Sequence, residues 1–367
     1  MRIESNKTEG LNFGLIRRLQ RKLLSWYAEN QRDLPWRKVK DPYPVWISEV
    51  MLQQTQVKTV IPYYLRFLKS FPTMKDLATA DLQRLLRVWA GLGYYSRARN
   101  LQKAAQKICQ SHQGTFPETY DEVLALPGIG RYTASAILSI AFDQPYAVLD
   151  GNVTRVLTRI FKLHGDPKSP SMQSHLWNVA QCLLPNRNPG DFNQAIMELG
   201  ATLCSPRQPR CLLCPWQAEC LARKYGLQES LPEKGRNQPT RKSHEAVVVI
   251  KNRGRVLIMR QKGQKLLQDF WGFPGIEFKR PKTLKSDLVD NMYRRYGLRI
   301  CNLEPLTTIR HSITMRRILL EVFCARIQSG KLSVDRDREC KWVRLKDIDR
   351  YPLPSAALQI IKAIGTE

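Results

Sequence analysis

The stretch LALPGIGRYTASAIL, residues 124–138, decides how the N-terminal part of this chain is read. Both of its ends carry apolar residues three and four positions apart, the period of a helix with one buried face. Its middle, Pro127-Gly128-Ile129-Gly130, breaks that period. The stretch therefore predicts a helix, a tight turn and a second helix. Gly128 and Gly130 let the backbone turn sharply and leave amide groups uncovered. The turn opens the second helix, whose N-terminus favours an anion. A plain helix–helix corner would use glycine in the same way. Just past the pair, VLDGNVTRVL, residues 148–157, supplies a carboxylate, Asp150.

The same helical period runs outward in both directions. It appears in LIRRLQRKLLSWYAEN, VIPYYLRFLKSF and LQRLLRVWAGLGYY, with Pro and Gly between segments. Residues 11–225 thus read as an all-helical domain with short connections. After Gly226 the texture changes. LQESLPEKGRNQPTRKSHE is polar and aperiodic, a linker in character. EAVVVIKNRGRVLIMR then gives two β-branched runs around Asn252-Arg253-Gly254, a hairpin signal. A helix is expected over 283–296 and further strands over 306–311 and 317–327, an α+β arrangement. The expected organisation is a helical domain over 1–228, a linker over 229–243 and an α+β domain over 244–367.

Lys and Arg number 59 against 32 acidic residues, for a formal charge of +27 in 367 residues. Such an excess points to a polyanionic partner, since every neutralised phosphate releases counterions. No apolar run approaches the ~20 residues of a membrane span. The N-terminal MRIESNKTEG is polar, so no secretory signal is expected there. There are nine cysteines. Cys109, Cys182, Cys301, Cys324 and Cys340 are scattered and read as buried thiols in a reducing compartment. Cys204, Cys211, Cys214 and Cys220 are spaced C-x6-C-x2-C-x5-C, close enough to converge on one soft metal centre. A four-cysteine zinc site and an iron–sulfur cluster both suit them.

LPGIGRYTA, LDGNVTRV and the cysteine cluster, in that order, resemble the helix-hairpin-helix DNA glycosylases of the endonuclease III superfamily. The blocks DLPWRK, residues 33–38, and SEVMLQQTQV, residues 48–57, are similar to the adenine DNA glycosylase branch, the MutY family. The resemblance implies two domains. One is an all-α helix-hairpin-helix glycosylase domain, its hairpin over 124–138 and an iron–sulfur loop over 204–220. The other is a C-terminal α+β Nudix-like domain. It also implies a [4Fe–4S] cluster on the four cysteines. The expected partner is double-stranded DNA carrying adenine opposite 8-oxoguanine or guanine, bound by a monomer in the cytoplasm at the nucleoid.

Adenine leaves poorly as an anion, so an acid must protonate it while a carboxylate stabilises the cation-like sugar, as in glycoside hydrolysis. Glu49 sits in the apolar helix VWISEVMLQQT, where burial would raise its pKa. On residue type alone it reads equally as a surface glutamate. By resemblance Glu49 is the acid, Asp150 the carboxylate beside the sugar, and Asn152 the residue orienting Asp150 and water. An N-cap asparagine opening VTRVLTRIF is an equally simple reading of Asn152. Tyr132 stands where the glycosylase-lyase branch carries a Schiff-base lysine, so amine-based strand cleavage is not expected; by resemblance this catalytic tyrosine lies near the reactive centre and helps support the intermediate. By the same match Arg32, Trp36 and Gln194 hold the everted adenine. Gln54 and Tyr94 meet the duplex beside the lesion, and Gly128 and Gly130 hold a phosphate. Arg207 and Arg210 give the cysteine loop a basic surface.

In the C-terminal domain FWGFPG, residues 270–275, carries the Nudix-like resemblance. The helix VDNMYRRYG, residues 289–297, has no glutamate to hold Mg²⁺, so nucleotide hydrolysis is not expected there. The family's lesion-reading loop reads Phe-Ser-His. Here the matching triplet is Ile313-Thr314-Met315, in which Thr314 keeps a hydroxyl and Met315 replaces the histidine. A weaker preference for 8-oxoguanine follows.

Overall fold

The computed structural model describes residues 12–233, 235, 240–261, 267, 269–279, 281–313, 315–334 and 338–365. Thr314, expected at the lesion-reading loop, lies outside them. By contact the chain divides into two units, one of 1–79 and 100–237, the other of 80–99 and 238–367. Ala80–Arg99 lies inside the range 1–228 expected for the helical domain, yet it packs with the second unit. There the Nε2 of Gln83 donates to the carbonyl of Asp269 and its Oε1 accepts from Trp271 Nε1, both at 3.2 Å.

The helices in chain order are α1 (Phe13–Asn30), α2 (Pro42–Leu52), α3 (Val57–Ser70), α4 (Met74–Thr79), α5 (Leu82–Trp89) and α6 (Ser96–Ser111), then α7 (Tyr120–Leu124), α8 (Arg131–Phe142), α9 (Gly151–Ile160), α10 (Pro170–Leu183), α11 (Pro189–Thr202) and α12 (Leu221–Lys224). Their limits follow from local chemistry. Asn12, Asp41, Asp81, Thr119, Asp150 and Ser169 each cap a helix start with a side-chain oxygen, at about 1 kcal/mol per cap. The first unit's core gathers one face of α1 (Leu19, Leu23, Tyr27) with faces of α9, α10 and α11 and with Trp216. α2 is different: Val45 through Met51 are all buried. A helix apolar on every side belongs in the middle of a domain, and this one carries Glu49 there.

The hairpin forms as expected between α7 and α8, with a correction. Gly128 has φ +79° and needs glycine, and a Cβ there would meet the Asn100 side chain at 2.6 Å. Gly130 is extended, φ −103° and ψ 177°, and serves as the α8 N-cap. It turns nothing; it leaves the first amides of α8 without a side-chain cap. Gly128→Ala should therefore destabilise the chain by about 1–3 kcal/mol. Gly130→Ala, with no heavy atom within 4 Å of its Cβ, should cost under ~1 kcal/mol. Urea unfolding of the two variants checks the contrast; equal losses would contradict it.

The second unit contains a mixed sheet of β1 (Arg241–Asn252), β2 (Arg255–Gln261), β3 (Trp271–Gly272), β4 (Gly275–Phe278), β5 (Leu298–Ile313), β6 (Arg316–Gly330) and β7 (Arg338–Arg344). The path runs β3-β2-β1-β6-β5, with β4 beside β1 and β7 beside β2. β1 and β6 are parallel, and the other pairs are antiparallel. Arg253 and Gly254 turn the expected hairpin at φ +47° and +71°, as a two-residue primed turn requires. β1 begins inside the stretch expected as linker. One sheet face packs on α13 (Leu284–Tyr296) through Leu284, Leu288, Met292 and Tyr296, the other on α14 (Ser355–Ile364) through Ala357, Ile360 and Ile364. β5 and β6 outrun the expected 306–311 and 317–327, because register shifts at Arg299/Ile300, Cys301/Glu304 and Pro305/Thr307 interrupt the alternation. Among the described residues no helix is long and apolar enough to cross a membrane.

Candidate active site

A cavity of ≈ 470 Å³ in the first unit is lined by Glu49, Tyr132, Asp150 and Asn152, together with Arg32, Trp36, Gln54 and Gln194. Glu49 reaches it from the central helix α2, Tyr132 from the second residue of α8, Asp150 and Asn152 from the start of α9, and Gln194 from α11. The approach to Asp150 is pinned from α11. Asn193, 2% exposed, donates to Ser139 Oγ and the Tyr146 carbonyl at 2.8 Å and accepts from the Val148 amide at 3.2 Å.

The two carboxyl groups have different surroundings. Glu49 is 5% exposed. Burial pushes its pKa up to about 7, the Tyr132 hydrogen bond pulls it down, and the neighbouring Asp150 charge raises it again. Tyr132 Oη donates to Glu49 Oε2 at 2.9 Å and lies 3.1 Å from Met197 Sδ. Burial also raises the Asp150 carboxyl above its ordinary range, but hydrogen bonds oppose it. Its Oδ1 accepts from the Val153 amide at 2.7 Å and its Oδ2 from Asn152 Nδ2 at 3.0 Å. Asp150, not Asn152, is thus the N-cap of α9, and it faces the positive end of that helix. Asn152 sits inside the first turn, where its amide is free to hold Asp150. Asn152 Oδ1 in turn accepts from Arg155 Nη2 at 2.8 Å. Arg155 also donates to the carbonyls of Cys204 and Gly200, at 2.7 and 2.8 Å.

On the cavity's other side Arg32 is paired. Its Nε and Nη2 reach Glu198 Oε1 and Oε2 at 2.6 and 2.7 Å, and Arg37 Nη2 reaches Oε2 at 2.8 Å. Glu198 is 1% exposed. Burial works to raise its pKa, yet the two guanidinium groups hold the carboxyl below its ordinary range. Neither Glu198 nor Arg37 stands out in the sequence as a site residue. A glutamate inside AIMELGA is the one signal that could have found the first. Trp36, expected to help hold the everted adenine, is largely buried and meets Tyr64 edge-on at 5.4 Å. Gln54 has φ +56° just after α2.

Other expected residues lie elsewhere. Tyr94 falls in the second unit, at φ +47°, with the Arg97 guanidinium 5.4 Å from its ring centre. Cys204, Cys211, Cys214 and Cys220 line a separate small cavity. Arg159, 2% exposed, donates to the carbonyls of Ser205, Pro206 and Leu231 and lies 3.3 Å from Cys204 Sγ. No three of the described His, Cys, Asp or Glu side chains close on a single metal ion. A four-iron cluster asks for something else, one thiolate per iron around a shared cavity. The four thiols and the adjacent cation fit that demand. Arg207 and Arg210 are exposed on the loop. The remaining five cysteines are not buried: four are half-buried and Cys182 is exposed. Cys182 sits on the outer face of α10, opposite Leu176, Val179, Ala180 and Leu183.

Residues 47–182 match the HhH-GPD superfamily of base excision DNA repair proteins, and residues 246–363 match the NUDIX domain. The first unit and its cavity therefore define a helix-hairpin-helix base excision repair protein with a Nudix domain appended. The chain is 33% identical to an adenine DNA glycosylase of Buchnera aphidicola (Baizongia pistaciae), over 93% of this chain and 95% of that protein. It is 41% identical to the adenine DNA glycosylase of Rattus norvegicus over 70% of this chain, and spans 60% of the rat protein's length. A thermostable thymine-DNA glycosylase superposes with TM-score 0.53 at 27% identity, covering 57% of this chain and 97% of that one. The chain belongs to the adenine DNA glycosylase family.

Proposed function

We propose that the chain hydrolyses the N-glycosidic bond of adenine mispaired with 8-oxoguanine or guanine in duplex DNA, as a monofunctional enzyme of base excision repair. The observation that carries this reading is the pair Glu49 and Asp150 on one cavity, the first pushed up to about 7 and the second capped by backbone and amide donors. Protonated Glu49 gives its proton to adenine N7. The bond from the sugar's C1′ to N9 then breaks, and its electron pair leaves with the neutral base. Ionised Asp150 stabilises the cation at C1′, or bonds to it transiently. A water adds at C1′ and gives up a proton to a carboxylate of the pair, leaving an abasic site. Asn152 holds Asp150 in position, and Tyr132 shares its hydroxyl hydrogen with Glu49. Arg32, Trp36 and Gln194 wall the base, while Gln54, Tyr94, Gly128 and Gly130 meet the duplex.

The described residues lining the cavity include no lysine, which supports hydrolysis without an amine nucleophile. Cys204, Cys211, Cys214 and Cys220 would hold a [4Fe–4S] cluster. When bound, it would cross-link their loop and take no part in bond cleavage. The monomer acts on DNA alone, at the nucleoid in the cytoplasm. The Ile313-Thr314-Met315 triplet supports a weaker preference for 8-oxoguanine than its family shows.

A single-turnover assay on A:8-oxoguanine and A:G duplexes, with borohydride present, tests the reading. Free adenine, an alkali-labile abasic strand and no trapped protein are expected. A trapped complex would mean a lyase, and duplex binding without release a non-catalytic protein. A very large rate ratio between the two duplexes would refute the weakened preference.

A further inference from the structure

Arg32 leaves the end of α1 on residues 31–34, a stretch outside helix and strand. A side chain on such a stretch is placed only as well as its anchors place it. Three of those anchors lead to one carboxylate: the Arg32 amide (3.2 Å), Nε and Nη2 all donate to Glu198. Arg37 closes the arrangement from both ends. Its Nη2 donates to Glu198 Oε2 at 2.8 Å and its Nη1 to the Arg32 carbonyl at 3.1 Å. Its own guanidinium lies 5.3 Å from the ring centre of Tyr27, itself buried. Arg37 is only 11% exposed at its side chain, against 39% for Arg32. Both arginines line the cavity, Arg37 as the more enclosed of the two; no described residue bonds to Arg32 Nη1, which leaves that edge for a ligand.

We propose that Arg37 is a positioning residue for base recognition, fixing the Arg32–Glu198 pair so that Arg32 offers one guanidinium edge to the everted base. The proposal rests on the adenine-excision reading of the same cavity. The electrostatics suit it. Glu49, Asp150 and Glu198 all line one cavity, and a third, uncompensated carboxylate there would make it harder to keep Asp150 ionised. Two guanidinium groups bind Glu198 and neutralise it locally, leaving it no spare lone pair for proton transfer. Arg37 is not a catalytic residue: it acts on the base through Arg32.

The test uses the full chain. It measures single-turnover excision of adenine, and binding of a duplex with a non-cleavable 2′-fluoro-adenosine opposite 8-oxoguanine. The proteins are the wild type, Arg37→Lys, Arg37→Met, Arg32→Met and the Arg32→Met/Arg37→Met pair. Arg37→Met should slow excision roughly 10- to 100-fold, the scale of an ångström-level misplacement, while duplex affinity holds. Arg37→Lys, which keeps the charge but not the two-ended grip, should recover part of that loss. The double variant should be no slower than Arg32→Met alone, because both changes remove the same presented edge. Losses that multiply in the double variant overturn the proposal, and so does an Arg37→Met protein with the wild-type rate. Should Arg37→Met fail to melt cooperatively, Arg37→Lys with and without Arg32→Met gives the same comparison. A wild-type chain that releases no adenine fails the activity reading and takes the proposal with it; an active wild type with multiplying losses removes the proposal alone.

Discussion

Asp150→Asn should lower single-turnover adenine release by about 10³-fold or more, the scale of removing a charge that stabilises the transition state. The substitution is selective because of where Asp150 sits. It caps α9, accepting the Val153 amide at 2.7 Å, and asparagine caps a helix about as well as aspartate. The variant should therefore keep its fold while losing the negative charge beside the sugar. An unfolding midpoint at neutral pH no lower than the wild type's, since burial makes the ionised Asp150 the costly form in the fold, together with a collapsed rate, is the expected pair of observations. Full-speed excision by Asp150→Asn would remove the cation-stabilising role altogether.

Glu49→Gln should be a slow enzyme and yet a more stable protein at alkaline pH. Loss of a general acid lowers the rate by about 10²–10⁴-fold. The stability effect follows from the sign of the shift. The folded Glu49 binds its proton up to about 7, well above the ordinary 4.5, so the folded state is the one that holds the proton. Rising pH through that window therefore costs stability, on the order of 3 kcal/mol once the group ionises in both states. Glutamine, neutral and of similar shape, escapes that cost. Urea midpoints should favour the variant at pH 8 and converge below pH 4.5. The excision rate of the wild type should fall above pH 7 as Glu49 ionises, and fall again in acid as Asp150 takes up a proton. A wild-type rate that climbs through pH 8, or a variant less stable there, would contradict the assignment.

How much of this was legible in the sequence depends on how far apart the interacting residues lie. The hairpin and its helices were readable because turn and period are local. Asp150 was found, but not its place as a cap: both Asp150 and Asn152 are good capping types, and only the backbone decides between them. Glu49 stood in an apolar helix, which hinted at burial without proving it. Glu198 gave only a fainter hint of the same kind, and Arg37 none. Their partnership spans 161 positions, and an arginine in PWRK or a glutamate in AIMELG reads as ordinary surface charge until α11 is placed. The edges of β5 were lost for another reason, because its bulges disturb the two-residue alternation on which strand reading rests. In the sequence Ala80–Arg99 reads with its helical neighbours by adjacency, whereas Gln83 is held by Asp269 and Trp271, almost two hundred positions away.

Helix α9 joins the catalytic carboxylate to the cysteine loop. α9 begins at the carboxylate capping it and carries Arg155 and Arg159, whose guanidinium groups donate to the carbonyls of Gly200 in α11, of Cys204 and Ser205 in the cysteine loop, and of Leu231. Such a strut transmits slack. A substitution that loosens the far end of α9 should therefore also disturb Asp150 at its start.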